Sequence, residues 1–166
     1  LTVNLKQADL AQIVERVAEK WRPVLEKPGM SLEVRISSSL PLRTDPDAVE
    51  QVLGNLLSNA EKYAAGGLWV GIHAGREENG AVAVRVADRG PGIPSSKQEL
   101  VFEPFERLRS DLREGVSGTG IGLTISRELA GLLGGCLYVD PQYEIGSRFV
   151  LILPAAPGAE TNSIES

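Results

Sequence analysis

From Val49 to Ala60 an apolar residue recurs every three or four positions, at Val49, Val52, Leu53, Leu56, Leu57 and Ala60, and directly afterwards the chain changes to strand-length runs. A stripe with that spacing lies along one face of an α-helix and has to be covered. The segments that follow can cover it. Residues 68–74 and 81–88 read as two strands joined by the polar turn Glu77-Glu78-Asn79-Gly80. A helix that leads into a hairpin is the signature of a helix-on-sheet layer.

The rest of the chain repeats the theme. Asp9 is placed to cap a first helix whose apolar face is Leu10, Ile13, Val14, Val17, Ala18 and Trp21, and Pro23 should end or kink it. Leu32, Val34 and Ile36 alternate as a half-buried strand, and Thr44 or Asp45 caps the central helix with Pro46 in its first turn. A long loop, 90–120, holds only a short helical candidate around 96–102. A third helix is expected over 122–133, strands over 136–140 and 147–153, and a flexible solvated tail over 155–166. The order predicts one α+β domain, 1–154, built as a two-layer sandwich with a mixed, mostly antiparallel sheet and about three helices on one face.

Composition removes whole classes of function. Lys+Arg 17 against Asp+Glu 22 leaves a net charge of −5, the wrong sign for a nucleic-acid groove. The single cysteine, Cys136, forms no internal bridge and is expected to pack as a small apolar group. No apolar run approaches the length that spans a bilayer. The 18 glycines cluster, and the clusters hold the chemistry.

On the central helix, Asn55, Asn59, Lys62 and Tyr63 recur three and four residues apart beside the apolar face. A carboxamide oxygen can ligate a hard cation such as Mg²⁺, and a nearby ammonium can meet a phosphate. A solvated helix face would use similar residues, but it leaves two helix-disfavouring asparagines unexplained. At the end of the second hairpin strand stands Asp88-Arg89-Gly90-Pro91-Gly92-Ile93-Pro94. A carboxylate there can accept from an exocyclic amine such as that of adenine, or can simply cap a Gly-Pro turn. Gly118-Thr119-Gly120-Ile121-Gly122-Leu123 opens the third helix and offers free N–H groups to phosphate oxygens; a flexible helix start needs the same glycines. Between them, Phe102-Glu103-Pro104-Phe105-Glu106-Arg107 reads as an aromatic-anchored flap or as a small apolar cluster under a loop.

In this order, Asn-x-x-x-Asn-Ala-x-Lys-Tyr, Asp-x-Gly-x-Gly-Ile, Phe-x-Pro-Phe-x-Arg and Gly-Thr-Gly-x-Gly-Leu, the chain resembles the catalytic and ATP-binding domain of sensor histidine kinases. These belong to a superfamily that includes gyrase, mismatch-repair ATPases and the heat-shock chaperone ATPases, and share the Bergerat-type ATP-binding fold. The likeness extends to Gly134-Gly135 and to Gly146-Ser147-x-Phe149. It implies that Asn59 coordinates a Mg²⁺ bridging ATP phosphates, with Asn55 supporting the same site and Lys62 contacting phosphate. Tyr63 would pack near the adenine and Asp88 would read its amino group, with Gly90, Gly92 and Ile93 giving the base room. Gly118, Thr119, Gly120, Ile121, Gly122 and Leu123 would form the phosphate side. Phe102 and Phe105 would hold a lid over 108–117, and Arg107 would lie near the phosphates or the acceptor domain.

At position 55 the superfamily's ATPases carry a glutamate that activates water. Asn55 has no basic lone pair for that proton, so the resemblance implies a kinase that holds ATP for another nucleophile. An anti-sigma-type serine kinase would carry an acid at that position and lack the Phe-Glu-Pro-Phe box. A nucleotide-binding module without catalysis is the other alternative. The usual acceptor histidine precedes a glutamate on an upstream helical hairpin, whereas the only histidine here, His73, sits in a predicted strand with no acid beside it in the chain. The expectation is therefore one cytoplasmic domain of a longer kinase: monomeric alone, free of direct membrane contact, binding ATP without autophosphorylating. Its partners would be the dimerisation domain that carries the acceptor histidine and a response-regulator receiver domain.

Overall fold

A computed structural model of the protein describes residues 1–104 and 122–154. In chain order the elements are β1 (Lys6–Asp9), α1 (Leu10–Glu26), β2 (Ser31–Ile36), β3 (Pro41–Thr44), α2 (Pro46–Ala64), β4 (Trp69–Arg76), β5 (Val82–Asp88), α3 (Gly122–Leu132), β6 (Cys136–Val139) and β7 (Arg148–Leu153). A 3₁₀ turn, Ala65–Gly67, follows α2, and two more, Ser95–Lys97 and Leu100–Phe102, replace the short helix expected in the loop. The five-stranded sheet has the order β2-β4-β5-β7-β6. Only β2 and β4 run parallel, with Leu32 opposite Val70. The mixed, mostly antiparallel sheet is as expected, and α1, α2 and α3 form the second layer.

Alternation along the strands assigns the faces. Val70 and Ile72 of β4, Val84 and Val86 of β5, and Phe149 and Leu151 of β7 point inward and are buried. Against them lie Val49, Val52, Leu53, Leu56 and Leu57 of α2, none more than 1% exposed. Each such side chain contributes roughly 1.5–3 kcal/mol on burial, so together they outweigh the helix penalty of about 1 kcal/mol that Gly54 brings. The opposite sheet face carries charged pairs among small and apolar side chains such as Ala83 and Val150. Arg85 pairs with Glu77 at 2.8 Å, and His73 Nε2 lies 2.9 Å from Glu33 Oε2. The parallel β2–β4 register thus gives His73 an acid that its chain neighbours do not, and the hydrogen bond holds the Glu33 carboxyl below its ordinary range.

Three features depart from the sequence reading for identifiable reasons. The ribbon β1–β3 is absent from the sequence reading, because its four-residue strands carry little pattern; it is fastened by helix caps. Asp9 Oδ1 accepts from Ala11 N at 3.0 Å and from Leu40 N at 2.9 Å, while Asp45 caps α2 through Oδ1 and takes Asn4 N on Oδ2 at 2.9 Å. Of the two outcomes expected at Pro23, ending or kinking α1, the first does not occur, since the helix continues to Glu26. Leu25, beyond the proline, is fully buried, and Arg22 Nη1 ties the same turn to the Leu32 carbonyl at 2.7 Å. Cys136 is exposed rather than in the core, because it opens edge strand β6 on the face no helix covers. The expected tail lies outside the described residues.

Two glycines illustrate opposite constraints. A Cβ on Gly135 would stand 1.7 Å from the Ile152 carbonyl oxygen, so close backbone approach excludes any other residue. A Cβ on Gly54 would meet only the Trp21 indole, at an ordinary 3.5 Å. We therefore expect Gly54→Ala to raise the unfolding free energy by about 0.5–1 kcal/mol. Gly135→Ala should lower it by about 1–3 kcal/mol or more. Urea denaturation of both variants checks this, and a destabilised Gly54→Ala would contradict the helix geometry.

Candidate functional site

The apolar stripe of α2 faces the sheet, which leaves the stripe of Asn55, Asn59, Lys62 and Tyr63 turned along its flank. Asn55, Asn59 and Tyr63 are half-buried and Lys62 is exposed. The Asn55 carboxamide joins two helices, since its Nδ2 donates to the Gly122 carbonyl at 3.1 Å and to Ser126 Oγ at 2.9 Å. It thereby fixes the first turn of α3 against the middle of α2. Ser126 is fully buried, and the Asn55 amide supplies the partner it needs there. Among the described residues nothing hydrogen-bonds the Asn59 carboxamide, one turn further along.

Asp88 ends β5 and is only 6% exposed. Its Oδ1 accepts two backbone N–H groups, Gly90 at 3.0 Å and Ser147 at 3.0 Å, and no described residue donates to Oδ2. Burial raises the carboxyl pKa above the ordinary 3.8, while the two N–H groups pull it back. The flanking glycines are required by backbone contact. A Cβ on Gly90 would come within 2.6 Å of the Ala64 side chain, and Gly92 takes a φ of +80° with the Gly146 carbonyl 3.1 Å from a Cβ position. The loop after Asp88 is therefore wedged between the end of α2 and the Gly146-Ser147 turn. Ile93 is half-buried beside it, packed on the core.

Phe102 is 5% exposed and meets Phe149 edge to face, with ring centroids 6.1 Å apart. Its carbonyl accepts from Thr124 Oγ1 at 2.7 Å, and the Arg127 guanidinium lies 4.2 Å from its ring centroid. Arg127 also bonds both oxygens of Glu99, at 2.6 and 3.2 Å, and that pairing holds the Glu99 carboxyl low. Leu123 is buried. Phe102, Asn55 and Gly122 thus converge where α3 begins. Phe105, Arg107, Gly118, Thr119, Gly120 and Ile121 lie outside the described residues.

Sequence reasoning missed Ser126, Thr124 and Arg127, the three α3 side chains that make these links. Ser126 left a trace, as a polar residue three positions after Leu123 and three before Leu129 in an apolar stripe. Tyr143 left none: its hydroxyl reaches the Asp88 carbonyl, 55 positions away, only through the fold.

The described part of the site is a helix flank of two carboxamides and an exposed ammonium, together with a buried carboxylate at a strand end. Over residues 44–157 the chain matches the family described as histidine kinase-, DNA gyrase B- and HSP90-like ATPase. The chain belongs to this family. Among curated relatives, the adaptive-response sensory kinase SasA of Synechocystis is 36% identical over 149 residues, covering 87% of this chain and 38% of its own length. The alginate biosynthesis sensor protein KinB of Pseudomonas aeruginosa is 33% identical over 153 residues, 92% of this chain and 25% of the relative. Among solved structures, full-length ShkA in complex with AMPPNP aligns with a TM-score of 0.80 at 29% identity, over 94% of this chain and 32% of that one. The mycobacterial sensor histidine kinase MprB gives 0.77 at 28%, over 93% and 99%. The chain spans less than half the length of those two curated relatives, and it is a histidine kinase-type ATP-binding domain.

An ionised carboxylate buried this far carries a folding penalty. Asp88→Asn keeps an acceptor for the Gly90 and Ser147 N–H groups and removes the charge. Because the folded pKa is raised, the penalty is present at neutral pH and disappears as pH falls through it. Asp88→Asn should therefore melt higher than the parent at pH 7, and the difference should close below the ordinary carboxylate range. A pH-independent difference in calorimetric midpoints would contradict the assigned burial.

Proposed function

We propose that this domain binds Mg²⁺–ATP and donates the γ-phosphoryl group to a histidine on a separate dimerisation domain of a two-component sensor kinase. The observation that carries the reading is the pairing of a buried, backbone-held Asp88, whose Oδ2 takes no donor from a described residue, with an Asn59 carboxamide that has no partner among them. Asp88 would accept from the amino group of adenine, and Tyr63, four residues past Asn59, would pack at the base. Asn59 and Lys62, on one helix flank, would take the phosphates.

The donor set fits Mg²⁺. Among the described residues no cluster of three or more His, Cys, Asp or Glu could cage a metal. A single carboxamide oxygen suits an ion that keeps several waters and shares the substrate's phosphates. When bound, Mg²⁺ would neutralise charge on those phosphates. The chain's own contribution is placement: α2 presents Asn59 and Lys62, and Asn55 holds the start of α3 against them. Asn55 cannot act as a base toward water, which favours retention of ATP until an imidazole nucleophile arrives. Catalysis would then rest on positioning and charge neutralisation, with an N–P bond formed at the acceptor and the P–O bond to ADP broken.

No helix among the described residues is long and apolar enough to cross a membrane. The proposal places the domain in the cytoplasm, acting on the dimerisation domain, which in turn serves a response-regulator receiver domain. The test is to mix the chain with a separately produced histidine hairpin from a sensor kinase and γ-labelled ATP. Acid-labile label on the hairpin, none on the chain alone, and at least tenfold less with Asn59→Ala is the expected result. Tight ATP binding with no labelled hairpin would leave a nucleotide-binding module.

A further inference from the structure

The ladder between β5 and β7 breaks at the residue that matters most. Ala87 stands opposite Arg148, so the next pair outward is Asp88 with Ser147. Asp88 N donates to the Ser147 carbonyl at 2.8 Å, which marks this as a hydrogen-bonded pair. In a regular antiparallel pair both residues exchange N–H···O bonds, so Ser147 N would return the bond to the Asp88 carbonyl. It does not. Ser147 N donates instead to Asp88 Oδ1, at 3.0 Å.

That diversion leaves the carbonyl of a buried residue without its ladder partner, and such a group has to be satisfied. Tyr143 supplies the bond: its phenol donates to the Asp88 carbonyl at 3.2 Å. The ring is itself held. The Arg148 guanidinium lies 4.7 Å from its centroid, and Arg148 Nε bonds Asp140 Oδ2 at 3.0 Å. Asp140 also shapes the loop through Oδ1, which accepts from Gln142 N at 2.9 Å. Gly146 passes so close that a Cβ there would stand 2.0 Å from the Asp88 carbonyl oxygen.

We infer that Tyr143 is a positioning residue for nucleotide recognition: by taking over the Asp88 carbonyl it frees the Ser147 N–H to hold the Asp88 carboxylate in its adenine-reading orientation. This rests on the reading of Asp88 as the adenine acceptor. Without the phenol, the Ser147 N–H returns to the carbonyl and the carboxylate loses one of its two backbone donors. Among the described residues, the charged groups around Tyr143 and Asp88 include Arg89 on the loop after β5, Arg148 on β7, and Asp140 and Glu144 on the loop before it. Tyr143→Phe alters none of them and keeps the ring under Arg148.

The experiment has two arms. In the nucleotide-free protein, the Asp88 carboxyl carbon is titrated by NMR, with the Ser147 amide followed alongside, for the parent and Tyr143→Phe. The expected result is a higher Asp88 pKa in the variant and a shifted Ser147 amide, because a donor to the charged form has gone. In the second arm, calorimetric titration with ADP should show affinity about three- to tenfold weaker, the size of one modest hydrogen bond. Thermal unfolding checks that the variant is folded, and Asp140→Asn, which loosens Arg148 without touching Asp88, should give a smaller change in the same direction. An unchanged Asp88 pKa and Ser147 amide in folded Tyr143→Phe would overturn the inference. If the parent itself bound no ADP, the adenine reading would fall, while the first arm would still decide whether Tyr143 sets the carboxylate.

Discussion

The burial of one face of α2 on the sheet is the constraint on which the rest depends. Five side chains of that helix are almost wholly hidden against β4, β5 and β7, which leaves the helix no freedom to roll. Its polar flank is therefore fixed in direction, and everything proposed for Asn59 and Lys62 follows from that direction. The same burial sets where α2 ends, and the Ala64 side chain at that end determines that position 90 carries no Cβ. Core packing and site geometry are here one problem.

At the other side of the site the strands do the equivalent work. Asp88 is a charged residue taken out of water, a placement that is tolerated only when the charge is hydrogen-bonded. Two backbone N–H groups meet that need, one from its own loop and one from the Gly146-Ser147 turn. The second is available because the ladder gives it up, and the Tyr143 phenol, on the loop before β7, supplies the substitute.

Much of this is legible in the sequence, and the limits have physical causes. The α2 stripe, the 68–88 hairpin, the Asp9 cap, a cap at Thr44 or Asp45, and the strand pair that closes the domain are readable because each rests on periodicity or on local turn chemistry. The Asn55–Tyr63 stripe stands out because asparagines are poor choices for a solvated helix face, whereas Asp88 suits a Gly-Pro turn equally well and stands out only through its order among the other motifs. The β1–β3 ribbon is not readable, since its pairing depends on cap contacts 31 and 41 residues apart in the chain. Cys136 is misplaced because nothing local says which sheet face the helices cover. Gly90 and Gly92 have a role that precedes any ligand: wedging between Ala64 and Gly146 already requires them. Tyr143 is invisible, because its partner is a backbone carbonyl that would normally be engaged elsewhere.

If the buried Asp88 carboxylate reads an exocyclic amine, the domain selects its base. Adenine presents an amine where guanine presents a carbonyl, and a carboxylate can only accept. Calorimetric titration of the folded chain with ADP and GDP in the presence of Mg²⁺ should show ADP bound at least tenfold more tightly. Asp88→Asn should lose most of that preference while remaining folded. Equal affinity for the two bases, or a preference for ADP that survives in Asp88→Asn, would contradict the account.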